Sequence, residues 1–132
     1  MSVLLSVRPR YAEAILAGQK KYEFRKAWPR QKSGQKVFIY TTAPVRKIVG
    51  SFVAGNVIED HPASLWKRYR SKGGIEEQAF FDYFGSRSIG YAIEISELEV
   101  FDVPLEPEDR IPGFVAPQSY MYIENSVDLR LR

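Results

Sequence analysis

The order of apolar and polar positions divides the chain into short elements with two different periods. Val3-Leu4-Leu5-Ser6-Val7 is an apolar run with β-branched residues and predicts a buried strand. Pro9 then stands where proline suits a first helical turn. Tyr11, Ala12, Ile15 and Leu16 recur at helical spacing up to Gly18, which predicts a helix over about residues 9–17 with a glycine at its C-terminal end. After Gly18 the period drops to two. Tyr22 and Phe24 alternate with Lys21, Glu23 and Arg25, the pattern of a half-buried strand that carries Glu23 and Arg25 on the face opposite the rings. Residues 36–41 form the next predicted strand, and residues 46–59, interrupted by Gly50 and Gly55, read as one or two strands with bends or a bulge. Pro62 opens a second helix ended by Gly73-Gly74, and a third runs over about residues 75–84 to Gly85. Ile89, Tyr91, Ile93 and Ile95 alternate with Gly90, Ala92, Glu94 and Ser96 in the clearest strand of the sequence. Residues 104–112 read as a proline- and acid-rich loop, residues 119–123 as a last strand and about 124–132 as a polar tail. Six strands with three short helices predict an α+β fold, a mixed sheet or small β-barrel.

Length and composition narrow the function classes. The 132 residues suit one domain, and 45% hydrophobic with 27% charged residues is ordinary globular usage. The absence of cysteine excludes a disulfide framework, a thiolate metal site and a cysteine nucleophile, and the lone His61 excludes a multi-histidine metal centre. His61, just before Pro62, reads as a helix cap. No cofactor is expected, because Gly73-Gly74 lacks the spacing of either phosphate-binding glycine loop. Apolar runs such as 37–40 fall far short of the roughly 20 residues of a membrane span, so a soluble, cytoplasmic protein without membrane contact is expected.

Charge adds a partner class. Residues 1–50 hold eleven Lys and Arg against Glu13 and Glu23, a net of +9, while the rest carries eight basic against fourteen acidic residues, a net of −6. Such asymmetry predicts one positive face, the electrostatic footprint of a polyanion binder. Aromatic residues make up 14% of the chain, and three near basic segments, Trp28, Tyr40 and Tyr120, are candidate stacking platforms for bases.

Gly18-Gln19-Lys20-Lys21-Tyr22-Glu23-Phe24-Arg25 reads G-x-K-x-x-E-x-R and follows a helix containing Tyr11-Ala12-Glu13-Ala14-Ile15-Leu16. With Ser6-Val7-Arg8-Pro9 before it, and Gly90-Tyr91-Ala92-Ile93-Glu94-Ile95 and Ala116-Pro117-Gln118-Ser119-Tyr120 after it, the chain resembles the ASCH domain family of the PUA-like superfamily. The resemblance covers most of the sequence. It implies a small PUA-like β-barrel flanked by helices, a cleft between them lined by the motif, and RNA or a nucleotide-like molecule as ligand. The ligand contacts expected on this basis are Arg8, Lys20, Glu23, Arg25, Lys26, Trp28, Arg30, Tyr40, Ser119 and Tyr120. Arg suits phosphate because its planar fork matches two oxygens, and a carboxylate accepts from an exocyclic amine or a ribose hydroxyl.

Some ASCH-like proteins resemble amidohydrolases of N4-acetylcytidine that use a lysine, a threonine and a downstream glutamate. Lys20 stands at the lysine position, but Glu23 stands where the threonine would be. Thr41, Thr42 and Ser119 do not match that place in the motif, and Glu59 is a candidate for the downstream glutamate. Three functions therefore follow from the sequence: an RNA- or nucleotide-binding module with a basic cleft; a hydrolase of a modified nucleoside or a ribonuclease, with Lys20 and Glu23 as acid and base; and a regulatory protein whose basic face binds DNA or a protein partner.

Overall fold

A computed structural model describes residues 1–29 and 34–124. Its elements are β1 (Ser2–Val7), α1 (Pro9–Leu16), β2 (Tyr22–Arg25), β3 (Lys36–Thr41), β4 (Lys47–Asp60), α2 (Pro62–Tyr69), a 3-10 turn (Arg70–Lys72), α3 (Glu77–Phe84), β5 (Gly90–Leu105), α4 (Pro107–Arg110) and β6 (Tyr120–Ile123). Arg30 and the predicted polar tail beyond residue 124 lie outside the described residues.

The strands form one mixed sheet in the order β2-β5-β4-β3-β1-β6, curled into a half-barrel with β2 and β6 at its edges. β1 runs parallel to β3, and the other pairings are antiparallel. β1 and β6 join distant parts of the chain, with Ser2 opposite Ile123 and Leu5 opposite Tyr120. Alternation explains how both faces are covered. Val3 and Leu5 of β1, with Val37 and Ile39 of β3, pack inside the curl with Ile15 of α1, Phe52 and Ile93; Leu4, Phe38 and Tyr40 point the other way onto Ile48, Leu105 and Ile123. A third cluster seats α2 and α3 on β2 and β5 through Phe24, Leu65, Phe80, Phe84 and Ala92. Among the described residues no helix is long and apolar enough to cross a membrane.

Two boundaries differ from the sequence reading. β5 continues through Pro104 to Leu105, because the ladder with β4 is irregular between its Gly50–Val100 and Ile48–Leu105 pairs and so asks no hydrogen bond of the proline. Residues 107–110 of the predicted loop form the short helix α4, opened by Pro107. His61 does cap α2: its Nδ1 accepts from the Ala63 N–H at 3.1 Å.

Candidate functional site

A cavity of about 580 Å³ lies between the β1–α1 junction, β2 and α3. Its floor is built by the turn between α1 and β2. Gly18, at a φ of 77° where glycine is favoured, lets the N–H groups of Gln19 and Lys20 fold back onto the Ala14 carbonyl. The chain then enters β2, whose period of two sends Glu23 and Arg25 to the inner side of the curl while Phe24 turns to Phe80 of α3.

Three charged side chains are buried together on this floor, with Lys20 at 3%, Glu23 at 5% and Arg25 at 9% exposure. Buried charges require partners, and each has them. The Arg25 Nε donates to Glu23 Oε2 at 2.8 Å, and its Nη2 lies 2.7 Å from the same oxygen. The Arg25 Nη2 also donates to the Ser6 carbonyl at 2.7 Å, and Nη1 reaches Ser119 Oγ at 3.5 Å. Arg25 thus spans from one edge strand to β1 and the approach to β6, where the sheet has no backbone ladder to close it. The Lys20 Nζ donates to the Gly73 carbonyl, stands 3.6 Å from Glu23 Oε1 and lies over the rings of Phe24 and Tyr11. Burial pushes the Lys20 pKa below that of a free lysine; Glu23 opposes this and Arg25 adds to it.

The wall opposite Lys20 comes from α3, which contributes Ala79, Phe80, Asp82 and Tyr83. The Tyr83 hydroxyl accepts from the Lys26 N–H at 3.1 Å and the Lys26 ammonium lies 4.7 Å from the centre of the Tyr83 ring; partial desolvation of the phenol on this otherwise exposed residue raises the Tyr83 pKa. Ser6 holds the remaining wall in place. Its N–H donates to the Ser119 carbonyl and its hydroxyl to the Pro117 carbonyl, which sets Gln118 into the cavity lining.

Of the residues singled out in the sequence, Arg8, Lys20, Glu23 and Arg25 line one cavity, Ser119 touches it through Arg25, and Lys26 stands at its rim through Tyr83. Tyr120 is half-buried on β6, its ring centre 6.2 Å from that of Trp28. Trp28 and Tyr40 are corrections: both are buried, Trp28 in the cluster inside the curl and Tyr40 against Phe114, so neither ring offers a free face to a base. Glu59 is another, being exposed on β4 opposite Tyr91 and away from the cavity. Sequence reasoning did not assign Tyr11, Asp82, Tyr83 or Gln118 to the site, and it set Thr42 aside. Thr42 places a hydroxyl in the lining, and its N–H is tied to the Val7 carbonyl at 3.0 Å. Among the described residues no cluster of His, Asp or Glu could hold a metal ion.

Comparison with known proteins bears on the family and the fold. A curated relative in Zymomonas mobilis, named an ASCH domain-containing ribonuclease, is 32% identical over 81 residues; the match covers 61% of this chain and 55% of that protein's length. The crystal structure of ASCH from the same organism superposes with a TM-score of 0.88 at 25% identity, over 95% of this chain and 89% of that one. A tyrosine-to-phenylalanine mutant of the Zymomonas protein gives 0.87 at 24% identity, over 94% and 91% of the two chains. The profile of the family described as the ASCH domain matches residues 5–103, and the chain belongs to that family.

Proposed function

We propose that the protein binds RNA through this cavity, taking one nucleotide of a single strand against the Lys20–Glu23–Arg25 floor. The observation that carries the reading is the buried cluster itself, in which two cations share one carboxylate on the wall of an open cavity. Its volume falls within the roughly 300–1,000 Å³ of small-molecule sites. Glu23 Oε2 is held by Arg25 at 2.8 Å, while Oε1 has only the longer 3.6 Å ion pair with Lys20 and can also accept from an exocyclic amine or a ribose hydroxyl. Exposed Arg8 at the mouth suits a phosphate, and Tyr11 and Tyr83 offer ring surface for stacking. A relative named a ribonuclease supports RNA as the ligand class.

The test is fluorescence anisotropy with a labelled eight-nucleotide RNA and the DNA of the same sequence. Glu23→Gln, compared per folded molecule, should weaken RNA binding at least tenfold. Arg8→Ala should flatten the dependence of log K on log salt by about 0.7 for one lost single-strand phosphate contact. Salt-independent binding, or tighter binding to DNA, would turn the assignment towards the regulatory alternative.

A second reading is cleavage of the RNA phosphodiester, favoured by the lowered pKa of Lys20 beside the cavity. A neutral Lys20 could take the proton from a 2′-hydroxyl as that oxygen attacks the adjacent phosphorus, closing a 2′,3′-cyclic phosphate while the P–O5′ bond breaks and the 5′-oxygen leaves with a proton from water. A single 2′-deoxy substitution in the RNA should then block cleavage at that linkage alone, and Lys20→Met should abolish it everywhere.

A further inference from the structure

The sequence assigns basic character to residues 1–50, yet the densest run of cations lies outside them. Lys67, Arg68, Arg70 and Lys72 fall within six residues at the end of α2 and in the 3-10 turn, and all four are exposed. Arg68 is engaged: it stands 3.7 Å from Asp60 and over the Tyr69 ring, which in turn packs on Tyr22. Among the described residues no ion pair holds the side chains of Lys67, Arg70 or Lys72. The Lys21 N–H donates to the Lys72 carbonyl at 2.8 Å, which brings the backbone of a fifth exposed cation alongside this run.

This basic ridge abuts the cavity through a single turn. The Gly73 carbonyl, one residue past Lys72, receives the Lys20 ammonium on the cavity floor, and Ile75 lines the cavity two residues later. The turn fits so closely because it lacks side chains: a Cβ on Gly74 would stand 2.6 Å from the Lys20 Cβ. The turn's inner side therefore belongs to the nucleotide site, and the chain leading into it carries unpaired positive charge.

We propose that Lys67, Arg70 and Lys72, with Lys21, form a phosphate track for the RNA strand that leaves the cavity, so that the ligand is a single strand of several nucleotides rather than a free nucleotide. The inference rests on the cavity reading above and adds a second contact surface to it. A flexible strand carries a regularly spaced row of phosphates, and a row of exposed cations of which Lys67, Arg70 and Lys72 have no ion pair among the described residues matches it without reading sequence.

The experiment uses the full chain and a labelled ten-nucleotide RNA of mixed sequence, titrated at several salt concentrations. Lys67→Gln/Arg70→Gln/Lys72→Gln removes three exposed charges and should leave the melting temperature within a few degrees of wild type. For three single-strand phosphate contacts the slope of log K against log salt should fall by about 2, and affinity at 0.1 M salt should drop about 100-fold. Glu23→Gln should lower affinity while leaving most of the slope. If the triple variant keeps the wild-type slope while Glu23→Gln still weakens binding, the track is wrong and the cavity reading stands. If the wild-type protein does not bind the RNA, both fail together.

Discussion

Removing the Arg25 side chain should cost the fold more than any single surface ion pair can, because its guanidinium closes the half-barrel where the backbone does not. In Arg25→Met, Glu23 loses two short contacts to Arg25 and keeps only Lys20 at 3.6 Å, and the Ser6 carbonyl loses its 2.7 Å donor. Breaking a buried pair by deleting one partner costs about 3–5 kcal/mol. At about 2.1 cal/mol/K per residue, unfolding 132 residues carries an entropy near 0.28 kcal/mol/K, so the melting temperature should fall by about 11–18 °C. Arg25→Lys keeps the charge but cannot reach both Glu23 and Ser6 with a fork, and should fall between the two. Calorimetric melts at pH 7 of the single variants and of Glu23→Gln/Arg25→Met complete a double-mutant cycle. The double variant should lose less than the sum of the singles, because neither leaves the other's charge stranded. A shift below about 4 °C for Arg25→Met, or simple additivity in the cycle, would show that the side chain decorates the seam without closing it.

Lys20 gives a pH dependence of defined sign. Its folded pKa lies below the unfolded value of about 10.4, so the unfolded chain binds the proton more tightly and wild-type stability should gain on Lys20→Met as pH rises from 7 to 9.5; urea titrations at both ends measure the difference. Trp28→Ala should cost about 3–5 kcal/mol in denaturant melts as a core truncation, with RNA affinity per folded molecule unchanged; selective loss of affinity would restore the ring as a stacking platform. Gly74→Ala combines a φ of 59° with a Cβ driven against Lys20. It should be destabilised by more than Gly113→Ala, where φ is 68° but nothing stands within 4 Å; the two melts together separate backbone strain from the contact.

Six strands and three of the helices are legible in the sequence because period and punctuation agree. Residues 36–41 alternate onto two cores and fill β3 from end to end, and Pro9, Gly18, Pro62 and Gly85 bracket their helices. The cavity floor is legible for a similar reason, since the strand period places Glu23 and Arg25 side by side. Its other walls are not, because Tyr83 and Thr42 come to the same cavity as Lys20 only through the packing of α3 and the β3–β4 turn, and no local spacing encodes that. A polar-tipped aromatic at the margin of an amphipathic helix was the one signal Tyr83 offered. Trp28 misleads in the opposite sense: its place between cations in a loop suggests solvent, yet the curl of the sheet leaves an apolar gap that its ring fills.

The pairing of β1 with β6 carries a consequence for the order in which this protein comes into being on the ribosome. Ser2 and Ile123 are 121 positions apart, so β1 can complete its hydrogen bonding only after nearly all of the sheet has left the exit tunnel. Until then β1 presents one open edge, with Val3, Leu4 and Leu5 ready to pair with another nascent chain. The same late segment brings Gln118 to the cavity and Ser119 to Arg25. The cavity is therefore the last region to mature, and a nascent chain halted before residue 118 would lack β6 and leave the floor of buried charges open to water on that side.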